Sequence, residues 1–269
     1  MKTDVIFLRE DDHKITLTTY IASDTPELNM PPRPAILIFP GGGYNFLSDR
    51  EAEPIARSFM AAGFNAFILR YSIGKDAIFP RPLVDASLAL QNIRVNAGEY
   101  NIDPDKVFVI GFSAGGHLAG SIGTMWHKDY VQSEIDMPYG MNKPSGMILS
   151  YAVLTTNDYA HVSSIQTITG MKEPTPELLE KYAVEKQVDE NTPPAFIWHT
   201  AADAGVPVEN SLQMALAMSS KKIPFELHIY PDGQHGISLA TKETSSQNAH
   251  FINPTVSDWI NKAIAWATR

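Results

Sequence analysis

Six short apolar runs, separated by segments with helical periodicity, most constrain what this 269-residue chain can fold into. The runs occupy residues 35–39, 66–69, 107–110, 147–149, 195–198 and 225–230, and the helical candidates occupy 51–62, 84–97, 114–125, 208–219 and 254–267. Continuous apolar runs are typical of parallel strands buried on both faces, because such strands lose the alternation of a one-sided sheet. The pattern predicts an α/β fold: a mostly parallel central sheet with helices on both faces.

The remaining segments add little to this architecture. Residues 13–21 alternate like one further strand, whereas residues 126–145 and 157–194 carry scattered proline, glycine, asparagine and charge. Such composition indicates insertions into the fold and not a second unit. The chain length suits one large α/β domain, so we expect a single domain over residues 1–269.

Composition excludes several classes of function. A net charge of −9 offers no positive field for nucleic acid or an anionic membrane. The absence of cysteine rules out disulfides, thiolate-bound metals and a cysteine nucleophile. No apolar run approaches the length of a membrane span, and the apolar stretch 5–8 is too short for a signal peptide. We therefore expect a cytoplasmic protein with no nucleic-acid or membrane partner; the sequence leaves its oligomeric state open.

A nucleophile candidate follows the apolar run 107–110 directly. Residues 111–115 read G-F-S-A-G and open an apolar helical segment. A strand that turns sharply into a helix exposes the serine at its apex in a strained conformation, and small neighbours avoid collisions there. The position between strand and helix makes Ser113 the predicted nucleophile.

A second loop, residues 40–44, reads P-G-G-G-Y and follows the run 35–39. Glycines leave backbone N–H groups open to a ligand oxygen, and the tetrahedral intermediate of acyl transfer needs such donors. The alternative is a flexible glycine turn. Phosphate binding is disfavoured because no G-x-x-x-x-G-K-[ST] pattern occurs. Among the aromatic residues near strand ends, Tyr44 is a candidate to line a substrate cleft, although such residues more often pack internally.

Eight histidines compete for the role of base. His235 lies in a glycine-bracketed loop after the run 225–230, from which a side chain can reach back over the serine. His117 is closer in sequence to Ser113 but lies one turn into the same helix, where a structural role fits better. The other histidines are interpreted as ordinary surface or core residues.

The orienting acid should follow the strand that precedes the histidine strand. Asp203 occupies that position after the run 195–198, and it is the preferred candidate. Asp232 is the rival because it lies three residues before His235. Either aspartate could instead form a solvated turn. No His-x-x-x-His or Glu-x-x-His pattern offers metal ligands, and serine hydrolysis needs neither metal nor cofactor.

With these motifs the chain resembles α/β-hydrolase esterases of the hormone-sensitive-lipase and acetyl-xylan-esterase kind, above all compact bacterial members with a P-G-G-G-Y loop. The segments that carry the resemblance are 40–44, 50–54, 111–115, 192–200, Asp203 and 235–236. The resemblance implies a Ser113, Asp203 and His235 triad, with the amides of Gly42, Gly43 and Ala114 as oxyanion donors. Pro40 departs from larger relatives, which usually carry histidine there.

The same resemblance implies little or no cap domain and an open site. It implies a serine carboxylesterase for short acyl groups, acetyl above all, on sugars or xylo-oligosaccharides, with a small-molecule or oligosaccharide ester as its only expected partner. An arylformamidase, an amidase or a small peptidase of the same fold is the alternative within enzymes. A hydrolase fold that has lost catalysis and only binds is the alternative outside them. A non-catalytic binding protein would be expected to lack a triad member, whereas candidates for all three triad residues are present.

Overall fold

The central feature of the computed structural model, which describes all residues 1–269, is one eight-stranded sheet. The strands run β1 (Lys2–Phe7), β2 (Thr16–Ile21), β3 (Arg33–Phe39), β4 (Asn65–Arg70), β5 (Ile102–Phe112), β6 (Gly146–Ser150), β7 (Ala195–Thr200) and β8 (Phe225–Tyr230). Their spatial order is β1-β2-β4-β3-β5-β6-β7-β8. Strands β3 to β8 pair in parallel, while β1 and β2 pair antiparallel at one edge. The predicted mostly parallel sheet is confirmed.

Helices cover both faces of this sheet. They are α1 (Glu53–Ala61), α2 (Arg81–Val95), α3 (Ala114–Met125), α4 (Asp129–Gln132), α5 (Val162–Thr169), α6 (Pro176–Tyr182), α7 (Glu209–Ser220) and α8 (Trp259–Ala267). The core of one face includes apolar side chains of α2, α3 and α7, and that of the other face includes those of α1 and α8. No helix combines the length and the apolar character needed to cross a bilayer.

Strand β3 shows why the apolar runs are continuous. Its side chains alternate between the two cores, with Leu37 and Phe39 in one and Ile36 and Ile38 in the other, and all four are fully buried. Apolar surface is therefore removed from water on both faces of the strand. Each buried side chain stabilises the folded state by about 1.5–3 kcal/mol. The run is continuous because neither face of the strand meets solvent.

The sequence pattern places most elements well but misses some boundaries. Strand β1 is absent from the apolar runs because its burial is slight and it forms the exposed edge of the sheet. Strand β5 is longer than the run 107–110, since residues 103–106, which follow the buried Ile102, are mostly charged and partly or fully exposed. Helix α8 begins at Trp259 and not at residue 254, because residues 256–258 form a separate 3₁₀ turn.

The two expected insertions contain short helices and no second sheet. Residues 126–145 include α4, and residues 157–194 include α5 and α6. Ile165 and Ile168 of α5 join the core on the face of α3. The compact arrangement has no evident cap, in agreement with the sequence prediction. The parallel strands end at a common edge, where the loops after β3, β5, β7 and β8 converge.

Candidate active site

Ser113 occupies a strained turn between β5 and α3. Its backbone has φ 54° and ψ −119°, a region that non-glycine residues rarely adopt. A Cβ atom on Gly111 would lie 2.0 Å from the carbonyl oxygen of Gly115, and one on Gly115 would lie 2.1 Å from that of Phe39. The turn is therefore possible only because residues 111 and 115 are both glycine. It leaves the Ser113 hydroxyl at the floor of a surface cleft.

His235 reaches the serine from the loop after β8. Its Nε2 lies 2.8 Å from Ser113 Oγ, and its Nδ1 lies 2.8 Å from Asp203 Oδ2. Because the carboxylate can only accept, Nδ1 carries the proton and Nε2 is free to accept one from the serine hydroxyl. His117, the rival base, points away from the cleft and is fully buried.

Asp203 lies in the loop after β7 with almost its whole side chain buried. Its Oδ1 accepts the amides of Gly205 at 2.8 Å and Val206 at 2.9 Å. Burial alone would raise the pKa of Asp203, but hydrogen bonds from His199 and His235 outweigh it and leave the pKa far below the ordinary range. The aspartate therefore stays ionised throughout the range in which histidine titrates.

The rival aspartate does not take part in this chain of hydrogen bonds. Asp232 is exposed, and its only hydrogen bond beyond the loop is the one its backbone carbonyl accepts from Asn253 Nδ2. Of the two candidates left open by the sequence, the structure brings only Asp203 to the histidine.

The glycine loop after β3 supplies free backbone donors. Gly42 has φ 136° and Gly43 has φ 63°, conformations that favour glycine. Neither amide donates to any acceptor within the protein. Ala114 opens helix α3, so its N–H lacks an intrahelical partner as well. The structure thus places amides without partners on both sides of Ser113, as oxyanion stabilisation requires.

One sequence expectation is wrong: Tyr44 does not line the cleft. Its side chain is fully buried, and its hydroxyl lies 2.8 Å from Nδ1 of His117. The ring packs edge-on against Tyr71 and Phe79. A positive φ of 61° at the end of the glycine loop turns this side chain inward, where it anchors the loop to the core.

The cleft above Ser113 has a volume of about 500 Å³, and only one of its twelve lining residues is hydrophobic. That residue, Phe46, keeps 61% of its surface exposed. The polar lining includes Asn45 from the glycine-loop side and His161 from the insertion 157–194. Sequence reasoning missed both Phe46 and His161, because neither stands in a recognisable motif.

Two further residues were missed around the acid and the glycine loop. His199, taken for an ordinary histidine, has its Nε2 at 3.3 Å from Asp203 Oδ2 and 3.0 Å from the carbonyl of Val206. Glu51 is only 3% exposed and accepts the amide of Gly41 at 2.8 Å. The segment 50–54 contributed to the family resemblance, but nothing in its spacing indicated a buried carboxylate.

Fold and site together define the class: this is an α/β-hydrolase fold with a Ser-His-Asp constellation at the carboxyl edge of its sheet. Residues 24–218 match the model of the BD-FAE family, and the chain belongs to that family.

Similarity to characterised proteins extends over most of the chain. It is 43% identical over 216 residues, 78% of its length, to endo-1,4-beta-xylanase B of Butyrivibrio fibrisolvens. It is 31% identical over 238 residues, 86% of its length, to an acetylxylan esterase of Xylanibacter ruminicola. The matches span 33% and 45% of those longer proteins.

A solved structure is similar over nearly its full length. The acetyl ester-xyloside bifunctional hydrolase from Caldicellulosiruptor lactoaceticus superposes with a TM-score of 0.83 at 34% identity. The similarity covers 98% of this chain and 94% of that one. The resemblance to acetyl-xylan esterases, first suggested by motifs, is confirmed.

Proposed function

We propose that the protein is a serine carboxylesterase that releases short acyl groups, acetyl above all, from sugar esters such as acetylated xylo-oligosaccharides. The observation that carries the proposal is the hydrogen-bonded chain from Ser113 through His235 to Asp203, each link 2.8 Å long. This chain lies beside backbone amides that have no other acceptor. Acyl transfer requires both parts together.

In the proposed reaction, Ser113 Oγ attacks the acyl carbon while His235 Nε2 accepts the hydroxyl proton. Asp203 keeps the imidazole in the required tautomer and stabilises the imidazolium that forms. The negative charge on the tetrahedral intermediate is met by the amides of Gly42, Gly43 and Ala114. Collapse of this intermediate expels the alcohol, which takes the proton from His235 and leaves an acyl-serine. Water, activated by the same histidine, then releases the acid.

The character of the cleft supports a polar alcohol and a short acyl chain. Its lining offers hydrogen-bonding groups and one exposed aromatic ring, Phe46. A pyranose has polar edges and an apolar face, so it can use both kinds of surface. A long acyl chain would meet only one hydrophobic side chain, Phe46, and each methylene left exposed would forgo about 0.8 kcal/mol of burial. The names of the acetylxylan esterase and the acetyl ester-xyloside hydrolase point to the same substrate class.

The nucleophile is tested with a fluorophosphonate probe and Ser113→Ala. Wild-type protein should be labelled at Ser113 and should hydrolyse an aryl acetate, whereas the variant should do neither and keep its fold. Labelling at another residue, or activity in the variant, would refute the assignment.

The substrate class is tested with a panel of substrates at equal concentrations. The panel contains acetylated xylo-oligosaccharides, aryl acetates, an N-formyl anilide and a peptide anilide. We expect the highest kcat/KM on an acetyl ester, with acetylated sugars at or above the aryl ester. Preference for the formyl or peptide anilide would replace the esterase by the formamidase or the amidase alternative.

A further inference from the structure

We infer that Glu51 is a positioning residue for the proposed esterase reaction: its buried carboxylate fixes the glycine loop and the histidine loop relative to Ser113. The inference rests on the proposed function, since it concerns the same site. Glu51 lies in a 3₁₀ turn between the glycine loop and α1, and its side chain reaches the cleft. One carboxylate oxygen faces each loop.

On the first side, Glu51 Oε2 accepts the N–H of Gly41 at 2.8 Å. Gly41 lies tightly against the nucleophile, because a Cβ placed on it would come within 3.0 Å of Ser113 Cβ. The next two amides, of Gly42 and Gly43, are the proposed oxyanion donors. Three consecutive glycines provide no stiffness of their own. The hydrogen bond to Glu51 therefore helps to fix those donors with respect to the serine, at the end of the loop opposite the buried Tyr44.

On the second side, Glu51 Oε1 accepts the hydroxyl proton of Tyr151 at 2.6 Å. The same hydroxyl oxygen accepts the N–H of Ser238 at 3.0 Å, three residues beyond His235. The ring of Tyr151 also packs edge-on against His235, with ring centres 5.3 Å apart. Glu51 thus fixes the histidine loop through Tyr151.

The residue before Glu51 makes parallel connections to the histidine loop. The Arg50 guanidinium donates to the carbonyl of Gly236, and the Arg50 carbonyl accepts the hydroxyl of Ser238 at 2.6 Å. Both contacts fall within three residues of His235. The pair Arg50 and Glu51 consequently joins the loop after β3 to the loop after β8, which are remote in sequence.

The donors around Glu51 require its ionised form. The Gly41 amide can only donate, and the Tyr151 hydroxyl, which already accepts from Ser238, must direct its own proton to Glu51. A protonated carboxyl could donate only to the Tyr151 oxygen, whose own proton would then lose its acceptor. Burial is the largest influence and leaves the pKa of Glu51 above its ordinary value, although these hydrogen bonds and the nearby His235 and Arg50 lower it in part.

The negative charge of Glu51 faces the site in which the imidazolium forms. Like the charge of Asp203, it stabilises the positive charge that develops on the imidazole in the proposed transition state. The other titratable or charged groups that face His235 or its acid are Arg50, Tyr151, His161 and His199.

The test compares Glu51→Gln with Asp85→Asn. Asp85 is also a fully buried carboxylate, and it accepts the amide and the hydroxyl of Ser72 and the Arg9 guanidinium, away from the cleft. Both substitutions keep side-chain size and remove a buried charge, so both should lower the melting temperature. Only Glu51→Gln should impair catalysis measured well below that temperature.

For Glu51→Gln we expect kcat on an aryl acetate to fall by about 30- to 100-fold, because a shift of 1 Å in catalytic groups can cost about 100-fold. KM should change by less than about threefold, since small-ester binding does not use the displaced amides. The acid limb of the kcat/KM profile should move to lower pH by about half a unit or more, because a charge that favours the imidazolium is gone. For Asp85→Asn we expect kcat and the pH profile of the wild type.

Full kcat in a folded Glu51→Gln protein, or an equal loss in Asp85→Asn, overturns the inference. Should Glu51→Gln fail to fold, Tyr151→Phe carries the test, because it removes only the hydroxyl that connects Glu51 to the histidine loop. A kcat and pH profile equal to wild type in Tyr151→Phe would overturn the inference as well. Wild-type protein that hydrolyses no ester would overturn the proposed function together with this inference, whereas active wild type with fully active Glu51→Gln overturns the inference alone.

Discussion

Replacement of Asp203 by asparagine hardly changes the size of the side chain, yet we expect it to lower kcat strongly. The two loop amides that donate to Oδ1 select the carbonyl oxygen of the new side chain at that position. The new NH₂ group must then occupy the place of Oδ2, facing His235 Nδ1. Two donors cannot share a hydrogen bond, so the imidazole moves its proton to Nε2 and loses the lone pair that accepts from Ser113. The substitution therefore produces the wrong tautomer.

The expected loss for Asp203→Asn is up to about 10⁴ in kcat, or about 5 kcal/mol of transition-state free energy. KM on a small acetyl ester should change little, because the aspartate does not touch the substrate. The matched control is Asp232→Asn, which alters an exposed side chain three residues from the same histidine. For this control we expect a loss of about tenfold or less. Steady-state kinetics of both variants on one aryl acetate decide the matter, and the reverse ranking would refute the assignment.

Three further predictions follow from buried groups and from the cleft. Burial lowers the pKa of His117 from 6.5 to about 4, so the unfolded chain binds a proton first and the free energy of unfolding falls as the pH drops from 6.5 to 4. In urea denaturation at pH 7 and pH 4, His117→Gln should lose about 3 kcal/mol of this pH dependence. An unchanged pH dependence would contradict the prediction. Gly111→Ala should lower the free energy of unfolding by about 3 kcal/mol or more because its Cβ would collide with backbone, whereas Gly98→Ala, with open space around it, should be nearly neutral. Catalytic efficiency should decline steeply from acetyl to octanoyl aryl esters because Phe46 is the one hydrophobic side chain in the cleft lining, and comparable values would exclude a short-acyl site.

The sequence predicted those features that depend on local chain geometry. Ser113 could be located because a strand that turns into a helix needs glycine at fixed positions, and His235 and Asp203 because each lies in the loop after a predicted strand. These signals depend on residues that are close in the sequence, so they can be recognised without knowing which residues meet in the folded structure. The sequence favours Asp203 over Asp232 by its place in the strand order, and the structure shows why: Asp203 is buried against His235, whereas Asp232 is exposed.

Glu51, His199 and Tyr44 could not be interpreted correctly from sequence for a different reason. A glutamate beside an arginine in a polar loop is typically exposed to solvent. Glu51 is buried because Gly41 and Tyr151, which are distant in the sequence, both contact it. Tyr44 was a candidate for the cleft because it is an aromatic residue near a strand end. Its direction depends on a positive φ that sequence reasoning did not anticipate.

The order of the active-site groups along the chain has a consequence for biosynthesis. Ser113 is synthesised 122 residues before His235, which at about 5–20 residues per second corresponds to roughly 6–25 s on the ribosome. During that interval the nascent chain contains a serine without a base, and the strands β7 and β8 that deliver its partners do not yet exist. Under the proposed mechanism, ester hydrolysis at Ser113 therefore has to wait for the last two strands to join the sheet, and a translation product that ends before His235 lacks the base.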